Sequence, residues 1–263
     1  MRLFLEVTKR SFQRHLTYRA ATLAGLMTNF FFGILRAAVF IALYGNRDQV
    51  AGISLEGVVT YAALTQAVIA YLSIFHWSDL ANSVYTGDIA TDLLKPMGYF
   101  RFWMARDLGR ALVSFLLRGV VIMAAYALVF DLAWPRGLSQ WSAVALSMIL
   151  SWWLSFAWRF LINLTAFWTP NAEGILRFFF VSAWFLSGFL MPLRYFPDWV
   201  QQISAWTPFP AMINTVIEIY LGILQGGELA TALLVQVAWI IVITLAGQIV
   251  LRAGVRRLVI LGG

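Results

Sequence analysis

The sequence has no cysteine and only two histidines, His15 and His76, among its 263 residues. The lack of cysteine excludes disulfide bonds, thiolate metal sites and cysteine nucleophiles. A histidine-based zinc site would need partner ligands that the sequence does not offer. Lysine is equally scarce, because only Lys9 and Lys95 occur, and no GxxxxGK[ST] motif is present. The chain therefore has no means of its own to cradle nucleotide phosphates.

Charged side chains are also few. They make up 12% of the chain, against roughly 25% in an ordinary soluble domain. Apolar residues reach 61% and aromatic residues 16%. A chain with this much apolar surface cannot bury it in one soluble core, so the composition predicts an all-α, polytopic membrane helix bundle with a single transmembrane domain over residues 1–263.

Six apolar runs are candidates for membrane-spanning helices, because a helix needs about 20 apolar residues to cross the hydrocarbon core. The fourth run is long enough to tilt or kink, and the fifth is short because Pro192 follows it. The six predicted spans are 21–44, 57–76, 109–130, 139–168, 174–191 and 229–251.

Basic residues gather on one side of these spans. They precede the first span, lie between the second and third, and follow the last, whereas the opposite side has only Arg47, Arg136 and Arg194. Such a bias marks the cytoplasmic side, so both termini are predicted to be cytoplasmic. The same bias accounts for the net charge of +7. No basic stripe interleaves with stacking aromatics on a soluble domain, and binding to nucleic acid is not expected.

Residues 1–19 form an amphipathic pattern. A basic and polar arc faces a broad apolar arc, which predicts a helix lying flat at the membrane surface. The alternative is a frayed basic tail that only sets the topology. The polar arc holds Arg2, Glu6, Lys9, Arg10 and Gln13, and the apolar arc holds Phe4, Leu5, Phe12 and Leu16.

A short polar stretch, TGDIATDLLKP at residues 86–96, interrupts the apolar chain within the predicted cytoplasmic loop 77–108. Ile89 and Leu93 are four residues apart and share one face of a helix, and Asp88 forms part of the neighbouring polar face. Asp92 and Lys95 have the spacing of an ion pair along that helix.

A proline and a glycine bound this stretch. Pro96 disfavours helical geometry at the residue before it, and Gly87 provides a start or a hinge. The pattern predicts a short amphipathic helix at the cytosolic face that a soluble partner can push. A solvated turn between two spans is the alternative.

Residues 192–228 form the predicted external loop. It holds most of the seven prolines and an apolar run at 211–224 that is too short to span a bilayer. This pattern predicts re-entrant or interfacial helices in the outer leaflet, with an aromatic belt and cap as the alternative. Glu218 interrupts the run and either meets a solute or points to water.

Three arginines fall within the apolar runs, where a charge costs at least about 2.5–3.5 kcal/mol on insertion scales. Arg36 lies near the outer end of its span and is interpreted as snorkelling to the interface. Arg118 and Arg159 either snorkel or line a path for an anionic or amphipathic solute.

Two signatures, one a single stretch and the other made of three stretches, resemble those of a known family. The stretch GDIATDLLKP at 87–96, together with SGFLMPLRYFPDWV at 187–200, PFP at 208–210 and YLG at 220–222, resembles the signatures of membrane permease subunits of type-two ATP-binding-cassette exporters. The resemblance runs along nearly the whole chain and is greatest to small bacterial permeases. It implies six transmembrane helices, an N-terminal interfacial helix, a cytoplasmic coupling helix and external re-entrant helices before the last span.

The resemblance also implies partners and a role. The chain would form half of a translocation path with a second permease subunit, identical or related, in a bacterial plasma (inner) membrane. Two soluble ATPase subunits would bind ATP and magnesium, so this chain itself would be no enzyme and would hold no cofactor. The implied contacts with the ATPase are Gly87, Asp88, Ile89, Asp92, Leu93, Leu94, Lys95 and Pro96.

The solute is expected to be amphipathic or hydrophobic, because aromatic rings are dense at 177–185 and in the external loop. An importer-type or energy-coupling membrane component, or a channel that works without nucleotide, remains an alternative. The residues proposed to line the path are Arg118, Arg159, Phe179, Trp184, Phe189 and Glu218.

Overall fold

The structure, a computed structural model, describes residues 1–17, 19–75, 77–169 and 171–257. The described part is nearly all helical, and a short hairpin pairs β1 (Gln49–Val50) with β2 (Ile53–Ser54) in antiparallel register. The α-helices are α1 (Arg2–Leu16), α2 (Arg19–Tyr44), α3 (Leu55–Leu72), α4 (Asp79–Tyr85), α5 (Ile89–Leu93), α6 (Tyr99–Ser114), α7 (Val120–Ala127), α8 (Leu138–Asn163), α9 (Glu173–Leu186), α10 (Asp198–Ala205), α11 (Asn214–Tyr220) and α12 (Gly226–Val255).

Three short helical turns complete the list. A π-helical turn at Phe115–Gly119 joins α6 to α7, and 3₁₀ turns occupy Leu164–Phe167 and Leu193–Tyr195. Helix α6, the π turn and α7 therefore form one continuous rod.

Five helices in the described part of the chain are long and apolar enough to cross a membrane. This confirms the predicted polytopic helical bundle. The five spans are Thr22–Tyr44, Leu55–Leu72, Tyr99–Ala127, Leu138–Phe167 and Gly226–Val255.

The predicted fifth span at 174–191 needs correction. Helix α9 has 14 residues, which at 1.5 Å per residue is about 21 Å, and the hydrocarbon core is about 30 Å thick. The helix stops because Gly188 adopts a φ of +80°, in the left-handed region that glycine favours. The Tyr61 hydroxyl donates to the Gly188 carbonyl at 2.6 Å. The apolar run thus continues past the helix as a turn buried in protein.

The predicted third span begins too late. The structure starts this helix at Tyr99 instead of residue 109, directly after the stop at 96–98. The charged residues Asp107 and Arg110 made the stretch before residue 109 look like a loop. In the structure Asp107 forms ion pairs with Arg110 and Arg159, so these charges are tolerated within the helix. The predicted loop 77–108 is consequently mostly helical. His76, at the end of the predicted second span, and residues 258–263 lie outside the described residues.

Helix α3 occupies the centre of the bundle. Ser54 caps its first turn by accepting a hydrogen bond from the Gly57 backbone at 3.0 Å, and Ser73 ends it in the left-handed conformation. Every residue from Gly57 to Leu72 is buried. Helices α2 and α12 instead expose most of their apolar side chains and form the periphery.

The N-terminal helix α1 confirms the predicted helix within 1–19 and lies along α6. The two backbones approach closely at Gly109, where an added Cβ would lie 2.4 Å from the Thr8 carbonyl oxygen. The Ser11 hydroxyl donates to the Arg106 carbonyl at 2.6 Å. Within the predicted apolar arc, Leu5 and Leu16 are exposed, so part of that arc stays available to lipid.

Candidate functional site

The 86–96 segment forms a compact helical knob. Gly87 has a φ of +80°, and the five-residue helix α5 follows it. The chain leaves the helix at Leu94, two residues before Pro96, as the proline rule predicts. The predicted short helix with a glycine start is therefore present.

The apolar residues of this knob divide between inside and outside. Ile89 is 1% exposed and belongs to the main core, and Leu93 packs against that core. Leu94 is 85% exposed. The face shared by Ile89 and Leu93 therefore anchors the knob to the bundle, and Leu94 is the apolar side chain that a partner can reach.

The polar residues divide in the same way. Asp92 is buried and forms the predicted ion pair with Lys95, whose ammonium also lies 3.7 Å from the centroid of the Phe102 ring. Asp88 is exposed and accepts a hydrogen bond from the Thr86 hydroxyl at 2.8 Å. Asp92 therefore stabilises the knob, whereas Asp88 lies on its outer surface.

Two side chains fasten the surrounding loop to the long helices. The Asn163 amide donates to the Trp77 carbonyl at 2.9 Å and accepts from the Ala81 backbone at 3.2 Å. The Tyr85 hydroxyl donates to the Thr169 carbonyl at 3.1 Å and accepts from the Ala172 backbone at 2.6 Å. A displacement of this loop must therefore reach α8 and the start of α9.

A buried charge cluster lies behind the loop and consists of Asp107, Arg110 and Arg159. Arg159 donates both terminal nitrogens to the Asp107 carboxylate, at 3.0 and 2.9 Å. Arg110 donates to the same carboxylate at 2.8 Å and to the Tyr71 carbonyl at 2.9 Å. Trp152 adds its indole N–H at 2.9 Å. The cluster joins α3, α6 and α8.

The structure places the two predicted path arginines differently. Arg159 is 0% exposed and is paired with Asp107 in the charge cluster, so its position indicates a structural role and gives no support to the path assignment. Arg118 is half-buried in the π turn and lies against Gly25 of α2, with its Nη2 at 3.5 Å from the Gly25 carbonyl oxygen. Sequence inspection missed Asp107, whose only signal was an acid placed near basic residues.

Two other predicted path residues come together in an aromatic cluster of Phe75, Trp184 and Phe189. The Phe75 ring centroid lies 5.1 Å from that of Trp184 and 5.2 Å from that of Phe189. The Arg36 guanidinium carbon lies 4.2 Å above the Phe189 ring, a cation–π geometry. Arg36 was expected to snorkel, and Phe75 was not singled out, because an approach of this kind is not visible in sequence spacing.

Phe179 and Glu218 occupy separate positions. Phe179 is half-buried on α9 and packs against the core. Glu218 on α11 is buried and accepts from the Arg194 Nε at 2.7 Å. Nearby, the Asn214 side-chain oxygen Oδ1 accepts from the Tyr61 hydroxyl at 3.0 Å, which fixes the segment that leads into α11 to α3.

The fold thus defines a polytopic helical membrane protein with a helical knob fastened beneath its long helices. Residues 30–262 match the family described as ABC-2 family transporter protein, and the chain belongs to that family. It is therefore a multi-pass permease component of an ATP-binding-cassette transporter, which works with ATPase subunits and is not itself the ATPase. No curated protein matches the sequence significantly.

Proposed function

We propose that this chain is one permease subunit of an exporter and that the 86–96 segment is its docking point for a soluble ATPase. The observation that carries the proposal is the exposure of Leu94 beside Asp88 and Pro96 on a knob whose other face is anchored through Ile89. An apolar tip with a polar rim suits contact with a protein surface.

The contacts of the loop support a mechanical role for the knob. When two ATPase subunits close on ATP and magnesium, they would displace the 86–96 segment. Asn163 and Tyr85 would pass that displacement to α8 and α9 through hydrogen bonds to the backbone. Rigid packing transmits such shifts because packed elements have few alternative arrangements.

The open side of α9 supports a second permease subunit, identical or related. Phe178 and Phe185 are exposed there, and Phe75 brings the aromatic cluster to the same surface. A partner on this side would enclose Arg36 and the rings between two chains. Such a lining would suit an amphipathic or hydrophobic solute that is moved outward.

Both termini are proposed to be cytoplasmic in a bacterial plasma membrane. Helix α1 carries basic residues at one end of the chain, and Arg252, Arg256 and Arg257 follow or end α12 at the other. With five long helices, this orientation requires α9 and the turn after it to complete a sixth crossing together.

Leu94→Asp tests the docking role. Aspartate at the exposed tip should weaken the ATPase contact and reduce permease-stimulated ATP hydrolysis by about tenfold, in the range of a single interface anchor. The measurement is ATPase activity of the complex reconstituted in liposomes, with pull-down of the ATPase in mild detergent.

Leu138→Asp is the matched control, because Leu138 is 87% exposed and begins α8, where an acid suits the helix N-terminus. Its ATPase coupling should be unchanged. If Leu94→Asp is well inserted and couples as wild type does, the docking assignment is wrong. ATP-driven uptake of a fluorescent amphiphile into inverted vesicles tests the outward direction, since an importer would not accumulate it there.

A further inference from the structure

A basic cavity lies between α1, α6 and the adjoining ends of α2 and α3. Its volume is about 400 Å³, and a neighbouring cavity of about 260 Å³ shares most of its charged lining. Neither cavity is used by the docking knob or by the aromatic cluster. The charged and titratable residues around the larger cavity are Arg14, His15, Asp79, Arg106, Arg110 and Arg118.

The charges that face this cavity are mostly positive. Four arginines line it, and Asp79 is the acid in its lining. Asp107 lies just behind, but Arg110 and Arg159 already share its carboxylate, so the charge cluster as a whole keeps one positive charge. The cavity therefore holds an excess of positive charge and favours an anion.

Arg118 is incompletely satisfied. Within the described part of the chain, its buried Nε has no hydrogen-bond partner, and its Nη2 reaches the Gly25 carbonyl oxygen only at 3.5 Å, the limit of a hydrogen bond. Arg110 is close enough to repel it. Leaving a buried charged donor unpaired is unfavourable, and an anion in the cavity would satisfy this guanidinium.

The direction of Arg118 fits a ligand at the cytoplasmic end. Side chains on a helix tilt towards its N-terminus, and the N-terminus of this rod is Tyr99, next to the 86–96 segment. Arg118 therefore reaches down towards Arg110 and Arg14. Ser73, at the end of α3, lines the same cavity.

Apolar surface adjoins the cavity. Leu117 is exposed on the rod and lies three residues beyond Ser114 and four beyond Val113, which both line the cavity, so it shares their side of the rod. An anion held here would have room for hydrocarbon chains along this side of the rod. This combination favours a phosphate that belongs to a lipid over a free phosphate.

We propose that the basic cavity binds the phosphate headgroup of an anionic phospholipid from the cytoplasmic leaflet. Basic pockets between membrane helices on that side suit such headgroups. The guanidinium groups of Arg14 and Arg118 lie on different elements, so one bound phosphate would join the interfacial helix α1 to the α6–α7 rod. Arg118 lies within residues 30–262, which match the family, and Arg14 lies before them. The proposed site therefore uses residues from inside and outside the family match.

The test uses the full chain in detergent and native mass spectrometry. Phosphatidylglycerol should remain bound at one per chain, at least tenfold more than phosphatidylcholine, and added inorganic phosphate should not displace it. The double variant Arg14→Gln/Arg118→Gln should lose phosphatidylglycerol by roughly 25-fold, since each arginine near a membrane surface contributes roughly fivefold. Arg118→Lys in place of Arg118→Gln should restore much of the retention.

Arg101→Gln is the matched control, because Arg101 is exposed on the same rod and does not line the cavity. It should retain phosphatidylglycerol as wild type does. Equal retention of the two lipids by the wild-type chain overturns the proposal without any variant, and displacement by inorganic phosphate identifies a soluble anion instead. A folded double variant that retains the lipid also refutes it.

Discussion

The Arg159 side chain neutralises the buried Asp107 carboxylate inside an apolar helix bundle. The guanidinium binds the Asp107 carboxylate through both terminal nitrogens and has its carbon 5.2 Å from the centroid of the Trp77 ring. This bidentate fork cannot be reproduced by lysine. The residue that sequence reasoning placed on the solute path is thus bonded as a joint between α6 and α8.

Arg159→Met should destabilise the folded chain by about 3–5 kcal/mol, because it removes one partner of a buried ion pair and leaves Asp107 dependent on Arg110. The measurement is thermal unfolding of the purified chain, monitored by tryptophan fluorescence. Arg177→Met breaks the exposed ion pair with Glu173 and should change stability by under about 1 kcal/mol. A stable Arg159→Met variant with altered solute preference would return this residue to the path.

Helix α1 owes its position to one glycine and two small polar residues. Gly109 lets the α6 backbone approach that of α1, and Thr8 and Ser11 are the buried residues of the α1 face. Close backbone approach through small residues is a common way for helices to pack where lipid removes the hydrophobic driving force. The contact is therefore sensitive to a single methyl group.

Gly109→Ala should displace α1 from α6, because the new Cβ would meet the Thr8 carbonyl oxygen and the Phe12 backbone nitrogen at 2.4 and 2.7 Å. Faster proteolysis within residues 2–16, in detergent, is the expected readout. Gly174→Ala serves as control, since within the described structure an added Cβ at Gly174 meets nothing within 4 Å. Equal protease resistance of the two variants would contradict the packing described for α1.

The elements were predictable wherever periodicity and length decide them. Helices α2, α3, α8 and α12 follow the apolar runs, and the knob follows its proline and glycine. The end of α9 was not predictable, because it depends on a hydrogen bond from Tyr61, more than a hundred residues away in sequence, to a glycine carbonyl. The early start of α6 depends on Arg159, also distant, neutralising Asp107. Contacts of this range leave no local signature.

The proposed orientation of the entire protein can be measured cleanly because the chain lacks cysteine. A single Asp88→Cys should react with a membrane-impermeant maleimide in inverted vesicles and stay unreactive in intact cells treated from outside. Arg136→Cys and Asp198→Cys should show the opposite pattern. The result for Asp198→Cys depends on a sixth crossing completed by α9 and the turn after it, because position 198 follows that turn. Labelling of Asp198→Cys on the same side as Asp88→Cys would show that α9 does not cross.

The three hydrogen bonds of the Asn163 side chain all end on backbone atoms, those of Trp77, Ala81 and Arg159. Backbone atoms are present whatever side chain is attached, so these hydrogen bonds do not depend on the side chains at 77 and 81, which are constrained instead by their burial in the core. At position 163 the hydrogen bonds do depend on the side chain, because its amide must donate and accept at once. A change of Asn163 should therefore break this joint directly, whereas a change at 77 or 81 should act through core packing and leave the three hydrogen bonds available.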